Sequence, residues 1–233
     1  MKTFESEKVI KGIKEFQQRL NTDNSAELSW EHCYRVFGKA RNNKPNDVDC
    51  LCLHLAFYLA SWGMYRGSSF LTKRDYKVHE PVVKEILKDE YNPLFGLDCI
   101  EYKKKGIQDL ICKISETIRE QYADIRQNVY KQEGKKVPTS KVSDILVTKV
   151  LIGTLGCVPA YDTYFVRGLK KTEIDPSNYC IESLSKLALF YKENNVKLEN
   201  IRNKCSTDGF NYPQAKILDM GFWEVGKPES DEE

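Results

Sequence analysis

The chain has 233 residues, enough to bury a substantial core as one large domain or two small ones without cross-links. Hydrophobic residues make up 41% and charged residues 30%, with only 13 Gly and 8 Pro, which excludes collagen-like, linker-like and wholly disordered chains. The 36 Lys and Arg nearly cancel the 34 Asp and Glu, so a formal charge of +2 announces no polyanionic partner, and any basic face must come from local clustering.

The first residues, Met1-Lys2-Thr3-Phe4-Glu5-Ser6-Glu7, are charged and lack the apolar run of a secretory signal. Eight cysteines are scattered without a C-x-x-C pair. That spacing fits reduced thiols in a cytoplasmic protein better than a metal or redox centre, so neither metal nor cofactor is expected. Helical periodicity then predicts segments at 5–20 and 27–39. A third helix is predicted over 47–65, opened by Pro45-Asn46-Asp47 and carrying Leu51, Leu55, Leu59 and Trp62 on one face. Its apolar stretch at 51–64 is too short to span a bilayer. A short helix at 81–88 follows. Next comes the clearest pattern, in which Ile107, Ile111, Ile114, Ile118, Tyr122, Ile125 and Val129 alternate steps of four and three and share one helical face. Further helices are predicted at 142–155, 176–193 and 213–225, separated by Gly, Pro and Asn punctuation. Alternating β patterns are absent. The expected fold is therefore all-α: a compact multi-helix domain over 1–226, compatible with two lobes flanking a cleft, and an acidic tail over 227–233.

The most informative local pattern spans 142–165. An apolar helix ends at glycine, Leu155-Gly156-Cys157-Val158-Pro159-Ala160-Tyr161 forms a turn, and Asp162-Thr163 opens another helix. A carboxylate placed there meets the free N–H groups and the positive end of the helix dipole. It could serve as a cap alone, or oppose positive charge developing on a sugar.

This segment resembles the helix-hairpin-helix superfamily of DNA glycosylases, in which a helix leads through a short turn into a Val-Asp-Thr-type sequence. The closing segment, from Tyr212 through Asp219 and Trp223 to Gly226, is similar to the last helix of such proteins. The resemblance implies that Asp162 supports cleavage of the bond between base and deoxyribose, that the partner is duplex DNA with a damaged or modified base, and that the protein acts as a monomer. Two departures stand out. The stretch matching the family's Gly-rich, phosphate-gripping hairpin reads Lys136-Val137-Pro138-Thr139-Ser140-Lys141-Val142-Ser143, without Gly-x-Gly. The Schiff-base lysine of some members aligns near Val147, with Lys149 two residues beyond, so a monofunctional enzyme is expected. No cysteine cluster suits an iron–sulfur site.

An enzyme that flips a base needs aromatic walls and polar groups around them. Trp62, Tyr65, Arg66 and Tyr161 are the candidates for that pocket, although Trp62 also fits a core anchor on the Leu51/Leu55/Leu59 face. Lys135, Lys136, Lys141, Lys149, Arg167, Lys170 and Lys171 bracket Asp162 in sequence and are the candidate phosphate contacts. Asp219 reads as a structural partner for a Lys or Arg.

Two other classes stay open. Arg74-Asp75-Tyr76-Lys77-Val78-His79 resembles the Arg-x4-His motif of the HEPN ribonucleases, which are also all-α, and there His79 would act as base on a ribose hydroxyl while Arg74 steadied the phosphate. The third reading is a non-catalytic helical binding module, which exposed apolar helix faces would favour and a deep cleft at Asp162 would count against.

Overall fold

The computed structural model describes residues 3–20, 22, 24–42, 47–206 and 210–228. Among these the fold is all-α, with ten α-helices and no strand. They are α1 (Thr3–Leu20), α2 (Leu28–Asn42), α3 (Val48–Ser61), α4 (Glu80–Ile86), α5 (Lys105–Gln132), α6 (Asp144–Thr154), α7 (Thr163–Lys171), α8 (Ile181–Glu193), α9 (Asn195–Cys205) and α10 (Gln214–Gly226). Short 3-10 segments at Tyr76–His79, Asp89–Leu94 and Cys99–Lys103 link them. Among the described residues no helix is long and apolar enough to cross a membrane. Most of the predicted acidic tail, from residue 229 onward, lies outside the described residues, as do Pro45 and Asn46 of the third helix's predicted start.

Local chemistry sets most boundaries. Asp47 caps α3 by accepting the Cys50 N–H at 3.0 Å, and Ser143 and Asp162 cap α6 and α7 in the same way. α3 ends at Ser61, four residues before the predicted end, because Gly63 adopts a left-handed φ of +77° and turns the chain. α8 starts at Ile181, five residues after its predicted start, where the Cys180 side chain caps it. α9 has no counterpart among the predicted helices, and only Leu198 and Ile201 of it are buried. The seven-residue stripe of α5 faces inward, with Ile107 and Ile125 half-buried and the other five buried.

Two packing groups meet in one connected core that runs from Val9 to Phe222. Helices α2 to α6 pack on one another, and the Trp30 indole N–H of α2 donates to the Ile152 carbonyl of α6 at 2.9 Å. In the other group α10 lies between α1 and α7. The α7/α10 approach is close enough that a Cβ at Gly168 would stand 1.9 Å from the Phe222 carbonyl oxygen, and one at Gly226 would stand 1.7 Å from the Tyr164 oxygen. The helices can touch at this distance only because both positions lack side chains.

This contact yields a stability prediction. Gly168→Ala should lower urea stability by about 3 kcal/mol, since a backbone carbonyl must move to admit the methyl group. Gly106→Ala, whose new Cβ would meet open space in the first turn of α5, should instead be neutral or stabilising by up to about 1 kcal/mol.

Candidate functional site

Residues 146–154 of α6 are all buried, so Lys149 is carried into the interior by the helix that holds it. Its side chain is 5% exposed. A buried ammonium needs compensating partners, and Lys149 has them: Asp162 Oδ2 at 3.2 Å, the Trp62 carbonyl at 3.4 Å, and the Trp62 ring with its centroid 5.1 Å away.

After α6 the chain turns at Gly156, whose φ of +65° and contact with Pro213 and Tyr34 leave no room for a Cβ. The three residues that follow Pro159 are each held by a side chain. Ala160 donates its N–H to Asp219 Oδ1 at 3.0 Å, and Tyr161 donates its N–H to Thr148 Oγ1 at 2.9 Å. Asp162 caps α7, its Oδ1 accepting from the Tyr164 and Phe165 N–H groups at 3.1 Å each. The cap uses one carboxylate oxygen and leaves Oδ2 for Lys149.

Asp162 lines a cleft of about 660 Å³ together with Trp62, Arg66, Lys149, Tyr164, Arg167 and Trp223. The end of α3 and the start of α6 face the start of α7 and the end of α10 across it. The wall is aromatic. Trp223 meets Trp62 edge to face at 5.7 Å and Tyr164 in the same manner at 5.3 Å. Glu27 also lines the cleft but pairs with Arg19 at 3.2 Å. Lys149 pairs with Asp162. Arg66 and Arg167 are exposed, and among the described residues neither has a carboxylate partner.

Of the predicted site residues, Asp162, Trp62, Arg66, Lys149 and Arg167 therefore come together. Tyr65 and Tyr161 do not join them. The Tyr65 hydroxyl is spent on His79 Nε2 at 2.6 Å. Tyr161 is buried, with its hydroxyl on Ser183 at 2.8 Å. Lys149 also changes role, since an ammonium sealed against Asp162 belongs to the floor of the cleft rather than to a phosphate-contacting surface. Lys135, Lys136, Lys141, Lys170 and Lys171 are exposed and outside the cleft lining. Lys170 and Lys171 continue the α7 stripe of Thr163 and Arg167 away from the mouth, and Lys135 pairs with Glu133 at 2.7 Å. Sequence reading missed Tyr164 and Trp223. Tyr164 follows Asp162 by two residues, close enough to have been suspected, whereas Trp223 reaches the cleft only through the α7/α10 contact.

The Arg74/His79 pairing does not assemble. Arg74 is ion-paired with Glu133 and lines a separate cleft of about 760 Å³ with Lys73, Lys77 and Lys84. His79 is absent from that lining and fully buried, with Tyr65 on Nε2 and Tyr122 on Nδ1 at 2.8 Å. No group of three or more potential metal ligands occurs among the described residues. No family model, curated protein or solved structure matches this chain.

Burial pushes the His79 imidazole down from 6.5 to about 3. Below about pH 6.5 the unfolded chain takes up a proton that the folded chain refuses, so stability falls as pH drops from there towards 3. Between about pH 6.5 and about pH 4.5 this group should remove on the order of 2 kcal/mol of urea stability. His79→Gln, which keeps a donor and an acceptor for the two tyrosines, should flatten that part of the curve.

Proposed function

We propose that this protein is a monofunctional DNA glycosylase-like hydrolase that flips a damaged or modified base out of a duplex and hydrolyses its N-glycosidic bond. The observation that carries the reading is Asp162: its carboxylate lies in a cleft walled by Trp62, Tyr164 and Trp223 and flanked by the exposed guanidinium groups of Arg66 and Arg167, neither of which has a carboxylate partner among the described residues. A flipped base can stack against aromatic walls, and phosphates on either side of it can meet the two arginines.

The charge arrangement suits the chemistry. The bond breaks heterolytically, leaving positive charge on the sugar and negative charge on the departing base. Fixed charges of both signs, held in place before the bond breaks, stabilise such a separation. The Asp162 carboxylate would face the sugar and the Lys149 ammonium the base, 3.2 Å apart. Water then adds hydroxide to the anomeric carbon and a proton to the base, giving an abasic site and a free base.

Asp162→Asn tests this directly, because Asn caps a helix about as well as Asp, and since it leaves Lys149 without its counter-ion the fold of the variant is checked by circular dichroism. Excision from duplexes carrying a panel of base lesions is expected to fall by about 100-fold or more in this variant while binding persists. Undiminished excision would remove Asp162 from the mechanism. RNA cleavage lost in His79→Ala but not in Asp162→Asn would replace the reading with a ribonuclease.

The ion pair of Lys149 with Asp162 argues against one variation, a lyase in which the lysine amine attacks the anomeric carbon. That amine would first have to leave Asp162 and lose a proton, so borohydride should trap no covalent adduct with DNA. A trapped adduct that disappears in Lys149→Gln would establish the lyase. Replacing Arg66 and Arg167 together with Ala should weaken duplex binding and reduce the slope of log affinity against log salt by about 2.

A further inference from the structure

Behind the cleft, α10 carries a second buried ion pair, Lys216 Nζ to Asp219 Oδ2 at 2.7 Å, with side chains 4% and 7% exposed. Burying two charges costs desolvation that their attraction often fails to return, and matched apolar side chains can hold such a place as well or better. What the pair does beyond pairing lies in its remaining contacts. Asp219 Oδ1 accepts the Ala160 N–H at 3.0 Å, two residues before Asp162. Lys216 Nζ lies 5.3 Å from the Trp62 ring centroid, the same ring that Lys149 approaches at 5.1 Å. The indole thus has contacts with both ion pairs, and residues 160, 161 and 162 are tied to α10, α6 and α7 in turn.

We infer that Asp219, with Lys216 as its counter-ion, is a positioning residue that fixes the place of the Asp162 carboxylate by holding the Ala160 N–H. The role assigned to Asp162 rests on the glycosylase reading; the way Asp162 is held does not. An orphaned Ala160 N–H inside the core would loosen the turn, and a carboxylate displaced by even a fraction of an ångström loses its alignment with both the α7 cap and the reacting sugar.

The test compares two double variants that both remove the buried charges. Lys216→Met/Asp219→Asn keeps a side-chain oxygen for Ala160, and Lys216→Met/Asp219→Leu does not. Hydrogen exchange of the Tyr164 and Phe165 amides, which Asp162 Oδ1 caps, reads the position of the carboxylate without any activity. Their exchange should stay within about twofold of the parent protein in the Asn variant and accelerate about tenfold or more in the Leu variant, with α5 amides unchanged in both. Single-turnover base excision should fall about tenfold or more from the Asn to the Leu variant, while duplex affinity changes less than about threefold. Equal exchange at Tyr164 and Phe165 in the two variants would overturn the inference. If exchange responds as expected but the parent protein excises no base from any duplex, the positioning role stands and the glycosylase reading falls. Asp219→Glu, which keeps Lys216 and the charge but displaces the acceptor, should accelerate the same two amides and repeats the comparison if the Leu variant does not fold.

Discussion

The cleft depends on the side-chain-free contact between α7 and α10. With Gly168 under the Phe222 carbonyl and Gly226 under the Tyr164 carbonyl, the two helices approach more closely than any pair of larger residues would allow. That approach brings Trp223 of α10 against Tyr164 of α7 and places both on the same wall as Trp62. It also brings Asp219 within reach of the turn that precedes α7. Widening the contact by one methyl group would disturb the aromatic wall and the Asp162 turn together.

Charge inside the molecule is organised around the Trp62 ring. Lys149 and Lys216 both approach it, and each ammonium has its own aspartate, Asp162 in the cleft and Asp219 behind it. In a low-dielectric interior such pairs are retained at a desolvation cost, so their geometry is informative in a way that exposed ion pairs such as Lys11 with Glu15 are not. The Asp162 cap, the Lys149 contact, the Thr148 hydrogen bond and the Asp219 hydrogen bond constrain residues 160–162 from different helices. Preorganisation of this kind is what an electrostatic mechanism requires of its charged groups.

The all-α class and most helices were legible in the chain, because helix faces and caps are local. The α5 stripe, the Asp47 and Asp162 caps and the Gly156 turn each depend on residues within a few positions of one another. Where local signals failed, they were either weak or overridden by tertiary contacts. α9 buries only Leu198 and Ile201, too little apolar surface to show as a periodic face. His79 follows an Arg-x4-His spacing that fits a ribonuclease motif, yet two tyrosines from outside that spacing enclose it.

The same division runs through the site. Sequence by itself determined that Asp162 caps a helix after an apolar helix and a glycine turn, and it singled out Trp62, Arg66, Lys149 and Arg167 as candidates. Tertiary structure alone decided that these five share a cleft, that Tyr65 and Tyr161 turn away to His79 and Ser183, and that Lys149 is a buried partner of Asp162 rather than a surface cation. The physical reason is range. Capping and periodicity are settled within one or two helical turns, whereas the direction of a lysine or the closure of an aromatic wall is fixed by which distant helices pack against it, here α3, α6, α7 and α10.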